Sequence, residues 1–77
     1  MTPAELCRAR GWGHGDIIEG IYRGDGFSVR ALITAVGEAG VLGRQVGSRN
    51  HGFSWSEIDG REEVLPLDDG AEWEKIG

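Results

Sequence analysis

Glycine spacing is the feature that most limits what this chain can fold into. The 77 residues include 14 glycines, which recur singly every few positions without a collagen-like period. The usual share in globular proteins is about 7%. Because glycine supplies the positive φ angles that turns and bulges need, this spacing predicts short strands joined by many tight turns.

The strongest strand signal is the stretch from Phe27 to Val36, where alternate side chains are apolar. An earlier strand is predicted over residues 16–22, with a turn at residues 23–26. Residues 41–46 follow a glycine-rich connection and are predicted to pair with 27–36 as a hairpin. Residues 47–52 are predicted to form a loop.

The last third of the chain carries weaker strand signals. Asp59-Gly60 is a two-residue hairpin signal that separates Phe53 and Trp55 from a predicted strand at residues 64–67. Pro66 lacks an amide donor, so it marks a strand end or edge. Residues 71–76 are predicted to form one helical turn and then a short last strand.

The N-terminus predicts a helix. Thr2 is a good N-cap, Pro3 suits the first helical position and Glu5 completes a capping box. Gly11 supplies the stop. So short a helix is marginal alone in water, so we expect it to dock on the remaining chain with Trp12 as an anchor.

Length and cysteine usage bound the class of protein. A chain of 77 residues accommodates one domain, predicted as an N-terminal helix at 1–12 and a β-domain at 13–77. The single cysteine, Cys7, allows no intramolecular disulfide, so a cytoplasmic location is expected. No signal-peptide pattern and no membrane-length apolar stretch is visible, so a soluble protein without membrane contact is expected.

Charge is unevenly distributed. The formal net charge is −5, of which residues 1–50 contribute +1 and residues 51–77 contribute −6. An acidic surface opposes binding to a polyanion and favours a basic protein partner.

The order of the strand-like segments resembles a five-stranded SH3-like barrel of the Tudor or KOW type. The segments that carry this resemblance are Gly15–Gly20, Arg30–Val36, Val41-Leu42, Val64–Leu67 and Trp73–Ile76. More loosely, the sequence resembles short uncharacterised proteins of actinobacteria and their phages, whose phage members would act in the host cytoplasm. The resemblance implies a mostly β fold and no activity. It departs from KOW-type RNA binders, which usually carry a basic loop, because the C-terminal third here is acidic.

No catalytic, cofactor or metal site is predicted. Cys7, His14, Asp16 and His51 are the candidates for metal or nucleophile chemistry, but they lack spacings such as C-x-x-C or H-x-x-x-H. The glycine-rich stretch 11–15 lacks the spacing of a phosphate-binding loop. We therefore expect a protein that is not an enzyme.

A protein-interaction module is the leading functional expectation. Six aromatic residues are many for so small a core, and Trp55 lies among serines beside the acidic segment. The residues predicted to bind a protein partner are Trp55, Glu57, Glu62, Glu63, Asp68 and Asp69.

Two alternatives stay open. One is a nucleic-acid-binding barrel that uses the arginines of the mildly basic first part, namely Arg23, Arg30, Arg44 and Arg49. The other is a structural or self-assembling protein, because a small sheet leaves possible free edges.

Overall fold

The fold is mostly β, with one short helix and an open antiparallel sheet of six strands. A computed structural model describes residues 1–67 and 71–77. The elements are α1 (Pro3–Arg10), β1 (Ile17–Tyr22), β2 (Phe27–Val36), β3 (Val41–Asn50), β4 (Ser56–Glu57), β5 (Glu63–Val64) and β6 (Glu72–Lys75).

Helix α1 begins with the predicted capping box. The Glu5 amide donates to Thr2 Oγ1 over 3.2 Å, and the Thr2 amide donates to Glu5 Oε1 over 2.9 Å. The bond from the Thr2 amide to the carboxylate lowers the pKa of the Glu5 carboxyl. Gly11 ends the helix with a φ of 73°, as predicted.

The helix is anchored on the connection between β2 and β3. The Ala4 amide donates to the Ala39 carbonyl over 3.1 Å. The Arg8 guanidinium donates to the carbonyls of Gly37 and Glu38 over 2.9 and 3.0 Å. Alone, α1 would be too short to be stable, and these bonds fix it to the sheet.

The sheet order is β4-β3-β2-β1-β6, and β5 also pairs with β3. Strands β1, β2 and β3 form a meander, in which the predicted hairpin of β2 and β3 is confirmed and the turn predicted at residues 23–26 joins β1 to β2. Among residues 1–67 and 71–77, no ladder joins the β4 and β5 side to β6. The described residues therefore form an open six-stranded sheet, and closure into the expected five-stranded barrel is not shown.

Strand β3 is longer than predicted, and the loop prediction for residues 47–50 is wrong. The ladder with β2 continues past a register shift to Phe27↔Asn50. Ten-residue β2 supplies backbone partners along this whole length, which outweighs the turn preference of the residues at 47–50.

The last third also differs from expectation. Strands β4 and β5 each pair with β3 and not with each other, so Asp59-Gly60 is not the turn of a hairpin. The Gly60 amide instead donates to the Gln45 carbonyl over 3.1 Å. The predicted helical turn at 71–76 is wrong, because Glu72–Lys75 pairs with β1 as a strand.

The core lies between one face of the sheet, helix α1 and the segment after β5. We call this sheet face, which carries Ile18, Ala31 and Ile33, the inner face. The buried apolar residues are Ala4, Cys7, Trp12, Ile18, Ala31, Ile33, Val41, Leu65, Leu67 and Trp73. Burial raises the pKa of the Cys7 thiol, as expected for a structural cysteine. In the described part of the chain, no helix has the length and apolar character needed to cross a membrane.

Candidate binding surfaces

Trp55 lies on the outer face of the sheet, opposite the core. The outer face carries a cross-strand row in which Glu19 pairs with Arg30 and Arg30 pairs with Gly47. A Cβ atom added at Gly47 would lie 3.5 Å from the Trp55 ring, so the indole covers this glycine.

Two arginines contact the Trp55 ring. The guanidinium carbon of Arg30 lies 3.9 Å from the ring centroid, and that of Arg49 lies 5.1 Å from it. Both distances are within the cation–π range. Trp55 is half-buried, and its ring is engaged within the molecule.

Three of the four arginines in the nucleic-acid prediction are paired with carboxylates. Arg23 lies 3.0 Å from Glu72 Oε2, and Arg30 lies 3.3 Å from Glu19 Oε1. The distance from Arg44 to Asp59 is 3.8 Å. Arg49 forms no ion pair within residues 1–67 and 71–77. The structure brings Arg30 and Arg49 together at Trp55, and Glu19 offsets much of the charge of Arg30.

The predicted acidic residues occupy different places. Glu57 is exposed on β4 opposite Gly47, near Trp55. Glu62 accepts from the Thr34 hydroxyl over 2.8 Å, and Glu63 accepts from the Gln45 amide over 3.4 Å. The predictions for Asp68 and Asp69 lie outside the described residues.

An aromatic groove on the inner face was not foreseen. Tyr22 and Phe27 stack with centroids 4.8 Å apart and an interplanar angle of 16°. Tyr22 meets the edge of Trp73 at 6.0 Å and 84°. These three rings, with Pro66 and other apolar side chains, line a cavity of about 210 Å³. We call this cavity the aromatic groove.

The sequence contained a signal for this groove. Tyr22 and Phe27 flank a four-residue turn, and the β1–β2 register places them directly opposite each other. The Gly26 amide closes the turn on the Tyr22 carbonyl over 2.9 Å. Gln45 lines the same groove and its side-chain amide donates to Glu63 Oε1 over 3.4 Å, so the Glu63 carboxylate contacts a residue of the groove lining.

A second cavity of about 320 Å³ lies at the β3–β4 connection. Phe27 and Phe53 contribute to its lining, and Phe53 is 71% exposed. We call it the loop cavity. No pattern in the sequence singled out Phe53 as a surface residue.

The candidates for metal or nucleophile chemistry are not assembled into one site. Within the described residues, no three His, Cys, Asp or Glu side chains cluster as metal ligands would. Ser28 Oγ and His51 Nε2 lie 3.2 Å apart, but Ser28 is only 1% exposed. A substrate would have no access to that hydroxyl.

The contacts of the Asp16 carboxylate hold two parts of the fold together. Its carboxylate accepts from the Gly13 amide over 2.9 Å, and it lies 3.5 Å from Lys75 Nζ. The Gly13 amide, with a smaller contribution from Lys75, lowers the pKa of Asp16. This carboxylate therefore ties the chain before β1 to the end of β6.

Comparison with known proteins identifies the family of this chain but indicates no activity. No curated protein matches the chain, and no solved structure matches it. A family model matches residues 1–64, which include α1 and β1–β5 and end before β6. The chain therefore belongs to the family described as a domain of unknown function, DUF7241.

Proposed function

We propose that this protein is a non-enzymatic interaction module that binds a segment of a partner protein in the aromatic groove. The observation that carries the proposal is the convergence of Tyr22, Phe27 and Trp73 on one cavity beside Pro66. Tyrosine and tryptophan are enriched among the residues that contribute most to protein–protein affinity.

The partner segment is expected to combine apolar and basic side chains. The protein has a net charge of −5, and Glu63 lies beside the groove through its contact with Gln45. Charge complementarity mainly raises association rate and specificity, while the rings provide apolar contact area. Glu57 and Glu62 would add to the attraction at longer range.

The groove replaces Trp55 as the preferred aromatic contact. The Trp55 ring is covered by Arg30 at 3.9 Å, so a partner would first have to displace that side chain. Tyr22 and Phe27 are half-buried and line the cavity directly.

A random-peptide selection with a matched pair of variants tests this proposal. Pro66 lines the groove and Val64 lies outside it, and both are exposed. Peptides selected on the wild type should be enriched in basic and apolar residues. They should lose at least about tenfold in affinity for Pro66→Lys and retain affinity for Val64→Lys, because only the first places a positive charge in the groove, where it displaces apolar contact and repels a basic peptide.

Two outcomes of that experiment would contradict the proposal. Equal binding to both variants would exclude the groove as the contact. Failure to enrich any sequence would argue against peptide recognition itself.

The nucleic-acid alternative is less favoured. Three of its four arginines are already paired with Glu72, Glu19 and Asp59. A low-salt gel shift that weakens steeply with added salt would revive it.

Self-assembly of the chain and closure of the sheet into a small barrel are further proposals. A strict monomer in light scattering across concentrations would exclude self-assembly.

The turn of Leu65 and Leu67 into the core, under the inner face, supports a small barrel of SH3-like type. Backbone contacts between β5 and β6 in NMR spectra would establish closure of the barrel. Gene neighbourhood would test the role as a phage or bacterial accessory protein.

A further inference from the structure

One part of this acidic chain contains no carboxylate. Residues 39–56 include Arg44, Arg49 and His51 but no aspartate or glutamate. The loop cavity is built largely from this segment. The lining side chains therefore carry one positive charge and no negative one, although Glu57 directly follows this segment.

The loop cavity combines stacking and hydrogen-bonding groups. Phe53 is 71% exposed at its rim, and Phe27 lines it from β2. Gly52, with a φ of 91°, makes the turn that places Phe53, and the Phe53 amide donates to the Asn50 carbonyl over 3.0 Å. The closed turn fixes the backbone of Phe53, so only the freedom of its side chain is lost when a flat ligand stacks on the ring.

The polar lining is neutral or cationic. The hydroxyl side chains are Ser48, Ser54 and Ser56. Asn50 adds an amide and Arg49 adds a positive charge. The Arg49 guanidinium carbon lies 5.1 Å from the Trp55 centroid, which restrains this side chain near the cavity.

We propose that the loop cavity binds one nucleotide unit, with the base stacked on Phe53 and the phosphate paired with Arg49. The serine hydroxyls and the Asn50 amide would hydrogen-bond to the edges of the base or sugar. The volume of about 320 Å³ is in the lower range of small-ligand pockets. A free nucleotide and a nucleotide within a single strand present this same chemistry.

Of the four arginines in the nucleic-acid prediction, this site uses Arg49 alone. It requires one phosphate contact, through this arginine, which pairs with no carboxylate among residues 1–67 and 71–77. Aromatic stacking on a base tolerates different sequences, because every base has a π face.

Amide chemical-shift titrations of the whole chain test the proposal. The probes are adenosine and uridine monophosphates, inorganic phosphate, and a seven-nucleotide single strand, all at low salt. The nucleotide probes should shift the amides of residues 48–56. For the single strand, the salt slope should be about −0.7, as expected for one phosphate.

Variants separate stacking from charge. Phe53→Ala should weaken nucleotide binding by at least about fivefold, because base–aromatic stacking is lost. Arg49→Gln should weaken it and remove the salt dependence. Val64→Ala is the control, since Val64 is 68% exposed and lies on β5. Unperturbed spectra of each free variant would show that the fold is retained.

Each outcome decides a point. Tighter binding of the strand than of the free nucleotides identifies single-stranded nucleic acid as the source of the unit, and equal binding identifies the nucleotide itself. Shifts of the same size with inorganic phosphate alone would overturn the proposal, because stacking would then be unnecessary. Unchanged binding to Phe53→Ala, or no shifts with any nucleotide probe, would also overturn it.

Discussion

Two tryptophans of this protein each cover a glycine on a neighbouring strand, one inside the molecule and one outside. Trp73 lies directly opposite Gly20 and is 8% exposed. Trp55 covers Gly47 on the outer face, under the Arg30 guanidinium. In both pairs, the indole ring of the tryptophan occupies the space that a side chain at the glycine position would fill.

The closeness of the two contacts differs. A Cβ atom at Gly20 would lie 2.5 Å from the Trp73 ring, a distance that no packed structure accepts. A Cβ atom at Gly47 would lie 3.5 Å from the Trp55 ring, which is ordinary contact. The inner glycine is thus a steric requirement, whereas the position of the outer one accommodates a Cβ atom.

The largest effect is expected when the rings themselves are removed. Trp73→Ala should lower the free energy of unfolding by about 3–5 kcal/mol, because it leaves a cavity in the core. Trp55→Ala should cost only about 1 kcal/mol, the range of an exposed cation–π contact with some lost apolar area. Urea unfolding followed by circular dichroism measures both values. Similar losses of unfolding free energy in the two variants would show that the inner and outer tryptophans contribute equally to stability.

A smaller effect is expected when a methyl group is added to each glycine. Gly20→Ala should destabilise the protein by about 1–3 kcal/mol through overpacking against Trp73. Gly47→Ala should change stability by less than about 1 kcal/mol, since alanine is favoured over glycine in strand interiors. The same unfolding measurement applies. A Gly47→Ala variant as unstable as Gly20→Ala would show that the outer contact is as tight as the inner one.

The smallest effect concerns pH and the strand that carries Trp73. The pKa of Asp16 is lowered in the folded protein, so its contribution to stability is present above the unfolded value. That contribution is lost as the pH falls through the folded pKa. Asp16→Asn should therefore flatten the acid side of the stability profile. An unchanged acid side in Asp16→Asn would contradict the assignment.

Local signals in the sequence predicted much of the fold. The capping box at Thr2 and Glu5 is local chemistry, and α1 begins and ends where expected. Strand β2 coincides with the alternating stretch from Phe27 to Val36, because alternation follows directly from a sheet with one buried face.

The errors lie where long-range pairing decides the structure. Residues 47–50 have loop-like composition, but β2 pairs with them. The two residues of β4 and the two of β5 are held by β3, which no local pattern reveals.

The candidate site was predicted less well than the fold. Trp55 looked like a surface aromatic because the sequence does not show that Arg30 stacks on it. The aromatic groove depends on Trp73 meeting Tyr22 across the β1–β6 pairing, a contact between residues 51 positions apart.

The position of β1 between β2 and β6 also has a kinetic consequence. Its pairing with β2 closes a turn of four residues, a step that hairpins complete in about 1–10 μs. Its pairing with β6 joins Ile18 to Lys75 and must close a loop spanning most of the chain. Despite its small size, this protein should fold on the millisecond-to-second timescale of sheet proteins, with the docking of β6 as a late event.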